Sequence, residues 1–393
     1  VDALARSGVG ERIAYQRRVA RMTQQQLADA AGASLGTVRK LERGERNPGA
    51  DMLEALADAM GVAVAVLRFD PEPTRTSVRA ALPALSAAIA TYDLPEDGPA
   101  RPLSALRVAV SEAARWRVAA QYTRIARCLP DLLAELARAY HRASGADRTE
   151  LARLLVRAYR SADAMAYKFG AHDLSARLID LMRWATVEAE DPLMTATLAY
   201  VRTETYFAAR AHTSGLRALE NAIDTAPPPG STRQAAVRGA LHMRAAVIAG
   251  RAADASAAQL HLAEARSLAD RLPEGIYCGT AFGPDSVRAH EVSVAVSLGG
   301  DHLTRALDVA REWRPPTDLP AERRSGFHIE LGRAQLWSGL ADHAFASLRT
   351  ARDIAPQHTR EHPWVRQDAA VLRRLKRADA ESLTSFAEWC AAS

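Results

Sequence analysis

Apolar residues recur at helical spacing along nearly the whole chain, and their clearest pattern lies near the N-terminus. Leu27, Val38 and Leu41 fall where two short helices can bury one shared face. Between them, Ala28 is small enough for two helices to cross closely, and Gly32 suits a turn residue with positive φ. Ser34 is placed to N-cap the second of these helices. Upstream, residues 10–20 read as a first helix with Ile13 inward. Downstream, 43–48 (RGERNP) stop the second short helix, and 51–60 form a fourth with Leu53, Leu56 and Met60 on one side. A short apolar piece at 62–69 completes a unit of about five helices over residues 1–69.

The pattern breaks at 69–74 (FDPEPT), which reads as a linker; a connecting helix is expected between there and about 102. From about residue 103 to 393 the periodicity is helical almost throughout, interrupted at 95–102, 227–230, 273–283 and 315–320. The intervals match helix pairs, which predicts repeats. The best register runs over 325–356, with Leu331, Gly332, Gly339, Ala344, Ala351 and Pro356 as its small, turn and stop positions. A weaker copy at 196–227 keeps Gly215, Leu219, Ala222 and Pro227, and Gly170, Gly250 and Gly300 suggest further helix–glycine–helix units. The expected fold is all-α: a five-helix head followed by an irregular α-solenoid.

The head resembles the XRE-type helix-turn-helix family, the relatives of the Cro and cI repressors. The resemblance rests on the spacing from Gln24 to Gly44, on LERGERNP at 41–48, and on Arg17, which matches a first-helix arginine that pairs with a glutamate, here Glu42. It covers residues 8–69 and implies that the second short helix enters the major groove. Matched to that pattern, Ser34, Leu35, Gly36, Arg39 and Lys40 occupy or flank the base-reading turn. Arg39 or Lys40 would donate to guanine O6 and N7, and Leu35 would touch a thymine methyl. Gln24, Thr37, Arg43 and Arg46 are implied phosphate contacts. The resemblance further implies a homodimer on inverted half-sites of double-stranded DNA. The apolar stretch 60–69 then reads either as a dimer surface or as the domain's own core.

The repeats are similar to tetratricopeptide repeats. Residues 116–140, with RIARCLPDLLAEL, are similar to an element of actinobacterial regulators that join an XRE-type head to a helical-repeat sensor. In that architecture the first helix of each pair lines a concave groove, and the register would aim Tyr200, Glu204, Phe207, Ile329, Arg333 and Trp337 into it. Aromatics with an occasional charge suit a peptide or small molecule, and Arg333 could hold a carboxylate. Peptide-pheromone sensors with this layout clamp peptide backbone with groove asparagines. The chain has only Asn47 and Asn221, and Asn47 lies in the head.

Composition changes this picture little. The 393 residues carry a formal charge of +5, and the head holds ten basic against eight acidic residues, so any nucleic-acid signal there is local. No apolar run reaches the roughly 18 residues of a membrane span, and residues 1–12 lack a hydrophobic signal core, so a cytoplasmic protein is expected. Cys128, Cys278 and Cys390 are scattered, which suits free thiols better than disulfides or a metal knuckle. Two chemical motifs fail on context. The G-x-S-x-G match at 32–36 follows a helix rather than a strand, and H-x-x-E-H at 358–362 is hemmed in by Pro356 and Pro363, where a loop is expected. No cofactor, metal or enzymatic activity is expected. The reading is a DNA-binding transcriptional regulator whose repeats dimerise and sense a small molecule or peptide. The alternative is a protein–protein interaction scaffold that the head merely localises to DNA.

Overall fold

A computed structural model describes residues 9–46, 48–60, 62, 67, 73–375 and 380–391. The chain divides into two compact units, 1–77 and 78–393. In the first, α1 (Val9–Val19), α2 (Gln24–Ala30), α3 (Leu35–Glu42) and α4 (Ala50–Ala59) close around Ile13, Leu27, Ala28, Val38, Leu41, Leu53, Leu56 and Met60, all buried. Thr23 starts α2 with a capping box, exchanging bonds with Gln26. Gly32 takes φ +61°, and the Ala33 amide closes the turn on the Ala28 carbonyl at 2.8 Å. Ser34 caps α3 by accepting the Thr37 N–H at 3.1 Å. Of the apolar stretch 60–69, Met60, Val62 and Leu67 belong to this core. Its other residues, and with them the expected fifth helix as a whole, lie outside the described residues.

The second unit begins earlier than residue 103. From Val78 onward α5 (Pro73–Ala90) contributes Val78, Leu85 and Ile89 to the core of the helical body. Among the described residues seven helix pairs follow in order: α6 (Leu103–Val118) with α7 (Tyr122–Arg142); α8 (Gly145–Lys168) with α9 (His172–Ala189); α10 (Pro192–Ala208) with α11 (His212–Thr225); α12 (Thr232–Arg251) with α13 (Ala255–Ala269); α14 (Pro284–Leu298) with α15 (Leu303–Glu312); α16 (Ala321–Trp337) with α17 (Ala341–Ile354); and, after the short α18 (Pro356–Glu361), α19 (Pro363–Leu375) with α20 (Ala380–Trp389).

One device closes most of these pairs. The residue at the turn adopts a left-handed conformation, and the next amide bonds back to a carbonyl five residues earlier: Gln121 to Trp116, Ala171 to Ala166, Ala211 to Tyr206, Asp254 to Ala249 and Leu340 to Gln335, all at 2.8–3.0 Å. Glycine holds the left-handed position at 170 and 339, but Ala120, Arg210 and Ala253 hold it elsewhere. A β-carbon there costs about 1 kcal/mol or more; the closing bond and the packing of both helices offset it. Gly250, expected as a turn residue, instead lies inside α12. A β-carbon there would meet the Ser297 Cβ at 3.0 Å, so this glycine lets α12 and α14 approach.

Between α13 and α14 the helical pattern yields to a two-stranded antiparallel hairpin, β1 (Gly275–Tyr277) and β2 (Thr280–Phe282), with Tyr277 opposite Thr280. Its two turn residues, Cys278 and Gly279, both have positive φ (47° and 77°), as a tight hairpin turn requires. The break read at 273–283 is thus an ordered element. Its tip is held by helices far away in sequence: Arg117 donates to the Gly279 carbonyl at 2.6 Å, and Arg160 to the Cys278 carbonyl and to Thr280 Oγ1. The last repeats likewise return to the first ones. The Thr123 amide donates to Gln357 Oε1 at 3.0 Å, and Lys168 Nζ reaches His358 Nε2 and Glu322, both at 3.1 Å.

Candidate functional sites: the α3 face and a charged chamber

In the head, burial of Val38 and Leu41 fixes which side of α3 faces solvent. Gly36, Arg39 and Lys40 are exposed, and Leu35 and Thr37 are half-buried at its first turn. The side chains of Arg39 and Lys40 make no hydrogen bond or ion pair among the described residues. Arg43 sits just past the helix, paired with Glu45 at 3.1 Å and 63% exposed, so that pair is weak and easily exchanged for a phosphate. Arg46 is exposed beyond it. Ser34 is exposed, but its hydroxyl is engaged by the cap and by Thr37 Oγ1 at 2.9 Å.

Beneath this face lies a bidentate ion pair. Arg17 of α1 meets Glu42 at the end of α3 at 2.6 and 3.0 Å and also donates to the Met22 carbonyl. Gln24 completes it by donating its amide to Glu42 at 2.7 Å. Burial alone would raise the Glu42 carboxyl, but the bonds from Arg17 and Gln24 outweigh it and hold it below its usual range. Gln24 therefore braces α3 with one amide hydrogen and has one left for a phosphate. No signal in the sequence showed that Gln24 joins Arg17 and Glu42.

In the body, the helices and the hairpin surround a chamber of about 510 Å3. Tyr200, Glu204 and Phe207 line it. Three other residues of the expected groove do not. Ile329 is fully buried in the core, where the α16–α17 packing claims it. Arg333 is engaged by the protein's own carboxylate, Asp368, at 3.3 Å, and by Gln367, and it stacks over Trp364 and Trp337. Trp337 is 51% exposed and lies outside the chamber. Asn221 is exposed on α11, away from the lining.

The chamber wall is predominantly charged, with aromatic rings set between the charges. It gathers Arg117, Arg160, Lys168, Arg244, Arg251 and Arg323 with Asp163, Glu204, Glu322 and Glu330. Burial raises the Asp163 carboxyl well above its usual range, and the facing Glu204 adds to the effect, so the neutral form is favoured there. Burial also raises Glu330, which accepts a bond from Ser293. Glu322 moves the other way: burial is outweighed by Lys168, His358 and Arg117, which bring it to about 2. These residues come from helices more than two hundred positions apart at the extremes and follow no common motif, so nothing in the sequence signals that they meet.

The H-x-x-E-H segment forms the short helix α18 rather than a loop. Both histidines line the chamber, His358 buried within the helix and His362 half-buried just past its end, and desolvation brings His358 to about 3 and His362 well below its usual value. Burial likewise lowers His242 and His328 to about 4 and drives His290 well down. Among the described residues no group of histidine, cysteine and acid side chains could hold a metal ion. The titration has a direction. Each imidazole is neutral in the fold but protonates below about pH 6.5 once unfolded, so acidification favours the unfolded body by about 1.4 kcal/mol per pH unit per excess proton. Asp163, Glu330 and Asp368 (raised to about 6 by burial) oppose this, because they keep protons in the fold that the unfolded chain has lost. The depressed imidazoles, to which His212 and His261 also belong, outnumber the three raised carboxyls. The unfolding temperature of the body should fall steadily from pH 7 to pH 5 in a calorimetric pH series; a flat or rising profile would contradict this charge assignment.

A capped helix with an exposed basic face, braced through Glu42 by Arg17 and Gln24, has the geometry of a helix-turn-helix module. Residues 13–67 match the helix-turn-helix family model, and they form an XRE-type domain. No curated protein matches the chain. A solved structure of Bacillus thuringiensis PlcR in complex with the peptide PapR7 and DNA is 13% identical, covering 67% of this chain and 94% of that one, with a TM-score of 0.31. A likeness at that score carries no argument about this chain. No helix among the described residues is long and apolar enough to cross a membrane.

Proposed function

We propose that the protein is a cytoplasmic, sequence-specific transcriptional regulator that binds an inverted-repeat operator as a homodimer, and that its tetratricopeptide-like body dimerises and senses a small-molecule or peptide ligand through the chamber. The observation that carries the DNA reading is the face of α3. Arg39 and Lys40 project from it without partners, Leu35 stands at its first turn, and Arg43 and Arg46 flank its exit. Guanine N7 and O6 match an arginine or lysine donor, and exposed arginines beside the helix suit phosphates, which set register without reading sequence. Gln24, Ser34, Gly36 and Thr37 surround the same turn; Gly36, with no side chain, permits close approach. One head reaches only a few base pairs, which favours two heads on half-sites about one helical turn apart. Ligand binding in the body would then act by changing the spacing of the heads.

Selection of binding sites from random duplex DNA with the full chain, paired with its mass in solution, tests this directly. An enriched inverted repeat and a dimeric mass are expected. Enrichment of no sequence would remove the regulator reading, and a monomer with a single half-site would remove the dimer.

A further inference from the structure

The charges in the chamber do not balance. Its lining includes eight arginine and lysine side chains against five carboxyls, and two of those, Asp163 and Glu330, are pushed toward the neutral form by burial. Arg117, Arg160, Arg251 and Arg323 make no salt bridge among the described residues. Their hydrogen bonds go to neutral groups instead: hairpin carbonyls and Thr280 for Arg117 and Arg160, Ser297 for Arg251, His290 for Arg323. A carbonyl satisfies an N–H but does not neutralise a guanidinium, and charge held away from water is expensive without a counter-charge.

The imbalance is sharpest at the hairpin tip. Arg117 is only 8% exposed, and its Nε is buried with no hydrogen-bond partner. Arg160 is equally buried. The two guanidiniums converge: a β-carbon placed on Gly279 would lie 2.8 Å from Arg160 and 3.2 Å from Arg117, which is one reason for glycine there. Burial and the neighbouring Arg117 pull the Arg160 pKa down to about 9. Nearby, burial would raise the Tyr200 hydroxyl, but Arg244, Arg323 and Arg160 more than cancel it, so this phenol also feels a positive field.

We propose that the chamber is a receptor site for a small organic oxyanion, whose carboxylate or phosphate is held by Arg117, Arg160 and Arg323 beside the Tyr200 ring. Bidentate guanidiniums match both oxyanions, and the volume lies within the range of small-molecule sites. The lining is dominated by charge, with aromatic rings and three valines but no leucine, isoleucine or methionine, which suits a compact anion carrying a flat remainder. Phe207 and Trp364, stacked with Arg244 and Arg251, offer flat surfaces for the remainder of the molecule. The inference deepens the ligand-sensing reading and rests on it only for the chamber's role in regulation.

The test is thermal unfolding and calorimetric titration of the full chain with inorganic phosphate and, separately, citrate, against chloride at matched ionic strength. Saturable stabilisation by at least one anion is expected, and which of the two acts assigns the phosphate or carboxylate source. Arg117→Gln and Arg160→Gln should each weaken it ten- to a hundred-fold. Should either variant misfold, arginine modification by phenylglyoxal on the unaltered protein serves instead, with Arg117 and Arg160 protected by the anion in peptide mass spectra. Absence of saturable binding by both anions, or unchanged affinity in folded variants, would overturn the proposal. Saturable binding that leaves operator affinity unchanged would keep the receptor site and remove its sensing role, whereas loss of operator selection alone would remove the DNA reading and leave the site standing.

Discussion

Replacing Arg39 and Lys40 together by alanine should abolish sequence-specific DNA binding while leaving the head folded. Both side chains are exposed on α3 and have no partner to lose, and alanine is the strongest helix former, so the helix itself should gain slightly. If each contributes one good base contact, the pair contributes about 2–6 kcal/mol, a loss of roughly thirty-fold to ten-thousand-fold in affinity. Operator titrations by fluorescence anisotropy measure this. Residual binding should be non-specific and keep most of its salt dependence, because Arg43 and Arg46 still reach phosphates. A variant that binds its operator as tightly as the parent would move the reading surface off α3.

Glu42→Ala should have the other large effect, by a different route. Glu42 is only 6% exposed, and it holds both Arg17, at 14%, and Gln24. Removing it leaves a mostly buried guanidinium without its counter-charge, at a cost of about 3–5 kcal/mol. Domains of this size have only about 5–15 kcal/mol in total. The head should therefore lose much of its stability and DNA binding should fall with it, while the body, a separate compact unit, keeps its helicity. Two thermal transitions, with only one shifted, would be the signature. The same pair sets a pH dependence. Because the Glu42 carboxyl is depressed in the fold, its contribution is complete above its unfolded value near 4.5 and is lost as pH falls through the lower folded value. Glu42→Gln should remove that dependence and, by keeping a hydrogen-bond acceptor, cost less than alanine.

The head was nearly all legible because its determinants are local. Ser34 and Gly32 act within four residues of themselves, and Leu27, Val38 and Leu41 declare one face by spacing alone. Even the Arg17–Glu42 pair came from a match to a known pattern. The body was legible as helices and as two repeats, but not as a count of repeats. Glycine marks the left-handed turn at 170 and 339, whereas Ala120, Arg210 and Ala253 do the same work without a sequence signature. The hairpin was hidden because three-residue strands are too short to show an alternation, and Cys278 is an unusual occupant of its turn. The groove residues split for a related reason. Register within α16 placed Ile329, Arg333 and Trp337 on one side, but Asp368 and Trp364, some thirty residues on, decide what that side meets.

A chain of helix pairs that touched only their neighbours would come apart piecemeal, each pair melting at its own temperature and the ends fraying first. The bonds from Thr123 to Gln357, from Lys168 to His358, and from Arg117 and Arg160 to the hairpin tip alter that behaviour. They span 118 to 234 positions, so opening the last repeats uncovers buried charge in the first. The body should consequently melt in a single transition, with hydrogen exchange at the C-terminal pairs nearly as slow as at the centre. It should also refold slowly for an all-helical protein, since these ties close only after most of the chain is in place.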